Sequence, residues 1–240
     1  MSVMYTDGLF APLDKDLHLE RIGGGNETEV YCTDDRRFVV KVKSEEQQTP
    51  QEALRQVQQA RAAATAFAAA VGPQHSIPSY YLVARNSEGA VQPVVLQPYL
   101  CQAQSLFELD YEKLSAPERQ HLAGQLRQII RRSLDFYRQT GQLPDLYGRT
   151  SRSKADRKRL NRLWMLPWRL WSFLVKRNLL RAHNLMLTEA PERRVVLIDY
   201  DSVQRSQLYR FVYYNVRRFL FWRDYLLLWI MEKTGYVPKA

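Results

Sequence analysis

The stretches His183-Asn184-Leu185-Met186-Leu187 and Val195-Val196-Leu197-Ile198-Asp199 decide the fold of this 240-residue chain. Each is a short apolar run beside polar residues, which predicts two strands joined by a polar loop into a hairpin. Asn184 then lies across the hairpin from Asp199 and Asp201, and oxygen ligands of this kind suit Mg²⁺. We therefore predict a metal site at Asn184, Asp199 and Asp201. The alternative is structural, with the aspartate capping a turn and the asparagine satisfying backbone groups.

The amino-terminal part of the chain has the pattern of an antiparallel sheet. Short β-prone runs at 17–22, 29–33 and 37–43 are separated by a glycine turn and a polar turn, which predicts a three-stranded meander. A stretch rich in Gln, Ala, Arg and Leu then predicts a helix over 51–71. Two further runs, 80–84 and 91–96, complete a predicted five-stranded sheet.

Two features of this meander indicate phosphate binding. The turn Gly23-Gly24-Gly25-Asn26 lets backbone amides approach a phosphate, because no side chain blocks it. Lys41 follows on an apolar strand, where its ammonium group could neutralise phosphate charge. The alternatives are a plain hairpin turn and an exposed edge lysine.

The remainder of the chain is predicted to be mostly helical. Helical spacing over 115–139 and an aromatic helical run over 207–234 flank the short hairpin, and the run 211–231 is dense enough in apolar residues to form the core. We place the boundary between two lobes near 97–101, which gives an N-terminal lobe of 1–100 and a helical lobe of 101–240.

The order of these motifs resembles the protein kinase-like fold, and especially the compact bacterial aminoglycoside and lipopolysaccharide kinases. The resemblance implies an α+β fold with two lobes, an N-terminal antiparallel five-stranded sheet plus a helix, and a mostly helical C-terminal lobe. It also implies ATP and Mg²⁺ as cofactors. In that reading the glycine turn covers the phosphates, Lys41 holds them, and the metal lies on Asn184 and Asp199. The adenine would face residues 97–100, with Gln97 and Tyr99 as binding residues.

The sequence departs from the family at the catalytic base, which is an aspartate about five residues before the asparagine. That position is Leu179 here, and the nearest upstream match is Pro144-Asp145-Leu146-Tyr147-Gly148. Asp145 would orient the acceptor hydroxyl and take its proton, with residues 149–181 as an insertion within the catalytic loop. The alternative is that this segment is only a turn. A second departure is that the predicted helix offers Lys41 no acid beyond Glu52, at its start, so Gln56 or Gln59 could substitute.

We therefore predict an ATP- and Mg²⁺-dependent phosphotransferase that acts on a hydroxyl-bearing substrate, with Asp145 and Lys41 as catalytic residues. The alternative is a pseudokinase-like nucleotide-binding protein that docks on an anionic membrane surface or an acidic partner. Two departures favour this alternative: Leu179 stands at the family's usual position for the catalytic aspartate, and the predicted helix has no acid beyond Glu52.

The positive charge of the chain is concentrated in one segment. Residues 149–183 contain eleven Lys or Arg and one acid, so their net charge of +10 equals that of the whole chain. Within the predicted insertion, about 149–182, apolar and basic residues recur at helical spacing, which suits an anionic membrane surface. The alternatives are tryptophans packed on the helical lobe with a solvated basic rim and, ranked lower, nucleic-acid binding.

Cysteine use and hydropathy place limits on the class of protein. Cys32 and Cys101 lie far apart and no secretory leader pattern precedes residue 20, so we expect a cytoplasmic protein without disulfides, with peripheral association at the inner membrane face as the alternative. No stretch of about 18 consecutive apolar residues occurs, which predicts no membrane-spanning helix.

Overall fold

The computed structural model describes residues 2–4, 19–24, 28–43, 49–85, 91–148, 177–200 and 207–237. The chain divides into two compact units. The first contains the described residues of 1–65 and 77–101, and the second contains those of 66–76 and 102–240. Most of the predicted insertion, together with Gly25, Asn26 and Asp201, lies outside the described residues.

The first unit is built on an antiparallel sheet, as predicted. Its strands, in the spatial order β1-β5-β6-β4-β3-β2, are β1 (Ser2–Met4), β2 (Leu19–Gly24), β3 (Thr28–Thr33), β4 (Phe38–Lys43), β5 (Tyr80–Arg85) and β6 (Val91–Pro98). The five predicted strands are all present. The sheet nevertheless has six strands, because β1 pairs with the outer edge of β5. Three residues are too short a run to show alternation, so sequence reasoning missed this strand.

Alternation along the central strands places the core on one face of the sheet. A buried cluster joins β4, β5 and β6, and consists of Val40, Leu82, Ala84, Val94 and Leu96. Because successive side chains point to opposite faces, Lys41 lies on the other face from Val40. β6 also continues through Gln97 and Pro98, which pair with Val39 and Phe38 of β4.

Helix α1 (Pro50–Val71) follows β4 and matches the predicted helix closely. Thr49 and Glu52 form a reciprocal cap at its start. The Glu52 carboxylate accepts hydrogen bonds from the backbone N and the hydroxyl of Thr49, and Thr49 Oγ1 accepts one from Glu52 N. These bonds lower the pKa of Glu52. The acid that the sequence offers to Lys41 therefore serves as a helix cap.

The second unit is mostly helical. Its main elements are α2 (Ala116–Thr140), α3 (Gln207–Thr234) and a small antiparallel sheet of β7 (Gln104–Ser105), β8 (Leu185–Leu187) and β9 (Val195–Leu197). The predicted hairpin is present as β8 and β9. β7 was not predicted, because two residues carry no periodic signal. None of the helices in the described ranges is long and apolar enough to cross a membrane.

Helix α2 links the small sheet to α3. The Ser115–Glu118 capping box starts α2, and Gly141 in the left-handed conformation ends it. Gln125 connects it to the sheet, donating to Arg193 O at 2.8 Å and accepting from Val195 N at 2.8 Å. Arg127 connects it to α3 through an ion pair with Glu232. These contacts fix the β8–β9 hairpin against α2, and α2 against α3.

Candidate functional site

The predicted Asp145 loop follows α2 directly. Asp145 Oδ1 accepts from the backbone N of Tyr147 at 3.1 Å and of Gly148 at 3.3 Å, which closes a tight turn. Gly148 lies in the left-handed region with φ of 65°. The turn interpretation and the catalytic interpretation of this segment are therefore compatible, because the turn holds the carboxyl group in a fixed direction.

Asn184 joins this loop to the β8–β9 hairpin. Its side chain Nδ2 donates to the carbonyl oxygen of Asp145 at 2.7 Å, across 39 positions of sequence. The backbone carbonyl oxygen of Asn184 accepts a hydrogen bond from the backbone N of Ile198 at 3.0 Å, and Ile198 directly precedes Asp199. His183 N adds a bond to Tyr147 O at 2.8 Å. The structure therefore brings together the segments that carry Asp145, Asn184 and Asp199.

Gly148 allows the close approach of Asn184. A Cβ atom at position 148 would lie 2.1 Å from Asn184 Oδ1 and 3.0 Å from Asn184 N. No side chain fits there without displacing the asparagine, and the positive φ independently disfavours other residues. Glycine is therefore required at this contact by both space and backbone conformation.

The geometry of Asn184 suits an oxygen ligand. The Nδ2–H bond to Asp145 fixes which way the amide points, so Oδ1 is the atom left to face a cation. Asp199 is half-buried and lies two residues beyond the end of β9. Among the described residues, no group of three or more His, Cys, Asp or Glu side chains could hold a metal ion. Two protein ligands are nevertheless compatible with Mg²⁺, which retains waters and binds substrate phosphates.

Helix α3 holds the Asp145 loop from behind through Arg217. Arg217 Nη2 lies 2.9 Å from Asp145 Oδ1, and only 3% of the arginine side chain is exposed, against 29% of the aspartate side chain. The guanidinium lies over the rings of Tyr147 and Tyr213, at 4.7 and 4.9 Å from their centroids. The buried cation therefore fixes the position of the Asp145 carboxyl group and neutralises part of its charge.

Asp224 lies two helical turns farther along α3 and binds both the Asp145 loop and the segment that carries Leu179. Its Oδ2 accepts from Tyr147 Oη and from Leu179 N, both at 2.9 Å, and its Oδ1 accepts from the Arg223 guanidinium. Burial raises the pKa of Asp224, whereas these donors oppose that shift. Burial and the nearby Asp224 charge raise the pKa of Tyr147 well above its ordinary value, so its hydroxyl remains a donor.

Sequence reasoning missed Arg217 and Asp224. The available signal was two charges seven residues apart inside an aromatic helical run, a spacing that puts both on one face. Leu179, at the family's usual position for the base, is itself buried. Its backbone N–H bonds to Asp224, so this position contributes to the packing of the loop.

His183 lies beside Asn184 and stacks on Phe107, with ring centroids 4.1 Å apart. Burial lowers the pKa of His183, and the charge of Arg177 lowers it further. The imidazole is therefore neutral at physiological pH. The Phe107 ring is more than half exposed, which leaves an aromatic surface next to the asparagine.

In the first unit, Gly23 and Lys41 lie in one row of paired residues across the sheet. Gly23 pairs with Val30, which pairs with Lys41, which pairs with Val95. A register irregularity between Arg21 and Gly23 interrupts β2 beside the turn. Residues opposite one another in register share a face. Gly23 therefore lies on the same face as Lys41, two strands away across β3, and Gly24 follows it at the end of β2.

The residues predicted to face the adenine are placed as follows. Gln97 is buried, and its Nε2 donates to Ser79 Oγ at 2.8 Å. Tyr99 follows the end of β6, and its backbone N donates to Arg37 O at 2.8 Å. The Gln97 side chain thus joins β6 to the segment before β5.

The chain is similar to two solved structures of small-molecule-binding proteins. One is APH(2″)-IIia in complex with GDP and kanamycin, at 15% identity, with 88% of this chain and 76% of that chain covered and a TM-score of 0.38. The other is spectinomycin phosphotransferase, APH(9)-Ia, in complex with ADP and spectinomycin, at 12% identity, with coverages of 93% and 75% and a TM-score of 0.40. Both TM-scores are below 0.5, so we base the fold class on the chain's own elements.

No protein-family model matches the chain, and no curated protein matches it significantly.

Proposed function

We propose that this protein is an ATP- and Mg²⁺-dependent phosphotransferase that transfers a phosphoryl group to a hydroxyl of its substrate. The observation that supports the proposal is the pair of hydrogen bonds at Asn184, whose side chain binds the Asp145 carbonyl while its backbone carbonyl binds Ile198 N. These bonds gather a candidate base, an amide ligand and a carboxylate ligand from three separate segments.

The two oxygens of Asp145 have different roles in this proposal. The described donors, Tyr147 N, Gly148 N and Arg217, all reach Oδ1 and fix the carboxyl group. Oδ2 then orients the acceptor hydroxyl and takes its proton. The hydroxyl oxygen forms the new bond to the γ-phosphorus while the bond to the β–γ bridging oxygen breaks and ADP leaves.

The remaining residues hold the nucleotide. Lys41 and the amides at Gly23 and Gly24 bind phosphate oxygens from the sheet. Asn184 and Asp199 hold Mg²⁺, which supplies charge neutralisation at the transferred phosphoryl group when bound. The similar spectinomycin phosphotransferase structure contains ADP, and the other contains GDP, which agrees with a nucleotide ligand for this chain.

The proposal is tested by two measurements on the purified full chain. Thermal shift should show stabilisation by ATP that depends on Mg²⁺ and is lost in Asn184→Ala and Asp199→Asn. ATP turnover should fall by about a hundredfold or more in Asp145→Asn. Asp135→Asn is the matched control, because Asp135 is an exposed partner of Arg138 on α2. Failure of ATP to bind with or without Mg²⁺ would contradict the proposal.

A second candidate function is nucleotide binding without catalysis. The Arg217–Asp145 ion pair favours it, because it gives the Asp145 carboxyl group a structural role in holding the loop against α3. This candidate predicts a Mg²⁺-dependent thermal shift with ATP together with turnover that Asp145→Asn leaves unchanged. The two measurements therefore separate an enzyme, a binding protein and a protein that does neither.

A further inference from the structure

Helix α3 carries an apolar surface on the side that faces away from the core. Large apolar side chains recur at helical spacing along its whole length and are between 48% and 74% exposed; we define six of them as the exposed face of α3: Leu208, Phe211, Phe219, Trp222, Leu226 and Trp229. The 28-residue helix is about 40 Å long, and these residues span about 30 Å of it. The run 211–231 was predicted to form the core, and for the five of these residues that lie within it that prediction is wrong.

The exposed face of α3 is larger than isolated apolar residues on a soluble surface would explain. Six half-exposed aromatic and leucine side chains on one helix present several hundred Å² of apolar area, on the order of 600 Å². Patches of that size mark sites of interaction with another molecule or with a membrane.

The charges around this face are positive. Arg210, Arg218 and Lys233 are exposed on α3, and exposed Arg131 of α2 hydrogen-bonds Tyr225 beside the face. Both acids of α3 are already engaged, since Asp224 is buried and Glu232 pairs with Arg127. The face is thus apolar with a cationic margin, which is the pattern of surfaces that bind anionic lipid.

Helix α3 contacts described residues on either side of the segment 149–176, which carries most of the basic residues of 149–183. Before it, the Tyr147 ring stacks on Phe221 at 5.8 Å between centroids. After it, Arg177 O accepts a hydrogen bond from the Arg223 guanidinium. The described residues that flank this segment are therefore both in contact with α3.

We propose that the exposed face of α3 binds the surface of an anionic lipid bilayer, with its aromatic and leucine side chains in the interface and the surrounding cations on lipid phosphates. Tryptophan is favoured at the interface, and each cation near such a surface strengthens attraction. A second copy is the poorer occupant, because each copy carries a charge of +10 and repels another. This surface is independent of nucleotide binding.

The test is co-sedimentation of the full chain with vesicles. Wild-type protein should bind vesicles of phosphatidylcholine with about 30% phosphatidylglycerol at low salt, and at least about tenfold more weakly to pure phosphatidylcholine or in high salt. The triple variant Phe219→Gln, Trp222→Gln and Leu226→Gln should lower binding by about tenfold or more. A matched triple variant at exposed apolar positions of the first unit, Ile22→Gln, Leu54→Gln and Tyr80→Gln, should bind as wild type.

Several results would overturn the proposal. Unchanged vesicle binding by the α3 triple variant would assign the attraction to the basic segment alone. Equal binding to neutral and anionic vesicles would remove the cations from their role. A wild-type dimer in light scattering that the triple variant converts to monomer would assign the face to a second copy.

A second measurement covers the case in which the triple variant does not fold. Trp222→Phe and Trp229→Phe preserve apolar size, and circular dichroism verifies that this double variant is folded. Brominated lipids should quench tryptophan fluorescence of the wild-type protein on anionic vesicles and quench that of the double variant less. Equal fractional quenching would show that the exposed face of α3 does not enter the lipid.

Discussion

The two faces of α3 both carry large apolar side chains, but they differ in where their charges lie and in what they contact. The buried face contains Arg217 and Asp224, whereas the exposed face of α3 contains tryptophan, phenylalanine and leucine. On the buried face, each charge has a defined partner in the loop that carries Asp145 or in the segment that carries Leu179. The difference teaches that the buried charges of this helix position these two loops, whereas its exposed apolar side chains have no such role within the described contacts.

The largest effect expected from this comparison comes from the buried face. Asp224→Ala removes the acceptor for Tyr147 Oη and Leu179 N and leaves the Arg223 cation without its carboxylate. We expect a loss of about 3–5 kcal/mol in the free energy of unfolding, measured by urea denaturation.

The matched control for that variant is Asp135→Ala. Asp135 also pairs with an arginine but on the exposed surface of α2, so its loss should change stability by less than about 1 kcal/mol. Similar values for the two variants would show that the buried charges of α3 are not what stabilises the loops.

A smaller effect is expected where the buried face reaches the candidate site. Gly148→Ala places a methyl group where Asn184 Oδ1 now lies and imposes strain at positive φ. We expect destabilisation of about 2 kcal/mol and loss of the Mg²⁺-dependent shift with ATP. Gly141→Ala is the control, since its φ is also positive but nothing lies within 4 Å of its added Cβ. Equal effects of both variants on ATP binding would show that backbone strain, and not the contact with Asn184, causes the loss.

The smallest effect is expected on the exposed face of α3. Leu226→Ala, at a residue 59% exposed, should change the free energy of unfolding by no more than about 0.5 kcal/mol. Leu228→Ala, two positions away but 1% exposed, should lose about 2–5 kcal/mol. Thermal and urea unfolding in the absence of lipid measure both. A large loss from Leu226→Ala would mean that this face packs within the protein.

Much of the local structure could be predicted because it has a periodic signal. The β-prone run 37–43 predicted β4, and the two short apolar runs predicted β8 and β9. The short strands β1 and β7 lacked enough residues to show a period. The helix α3 was predicted at its observed bounds, yet its exposed face was assigned to the core, since both of its faces are apolar in sequence.

The candidate site was predictable in part. The spacing of Asn184 and Asp199 about a hairpin is a local pattern, and the match to an aspartate loop suggested Asp145. The function of these residues in catalysis stays a prediction. The supporting residues Arg217 and Asp224 could not be assigned from sequence, because a charge in an apolar run has no visible partner until the chain folds.

By itself, the sequence determined the secondary structure elements, the concentration of positive charge in one segment, and the residue types that a phosphotransferase needs. Only the tertiary structure decided that Asn184 binds the Asp145 loop, that two charges of α3 are buried, and that its aromatic stripe is exposed. The physical reason is range. Helical and strand periods arise from backbone geometry over a few residues, whereas burial and hydrogen-bond partners depend on segments far apart in sequence, such as Tyr147 and Asp224, which are 77 positions apart.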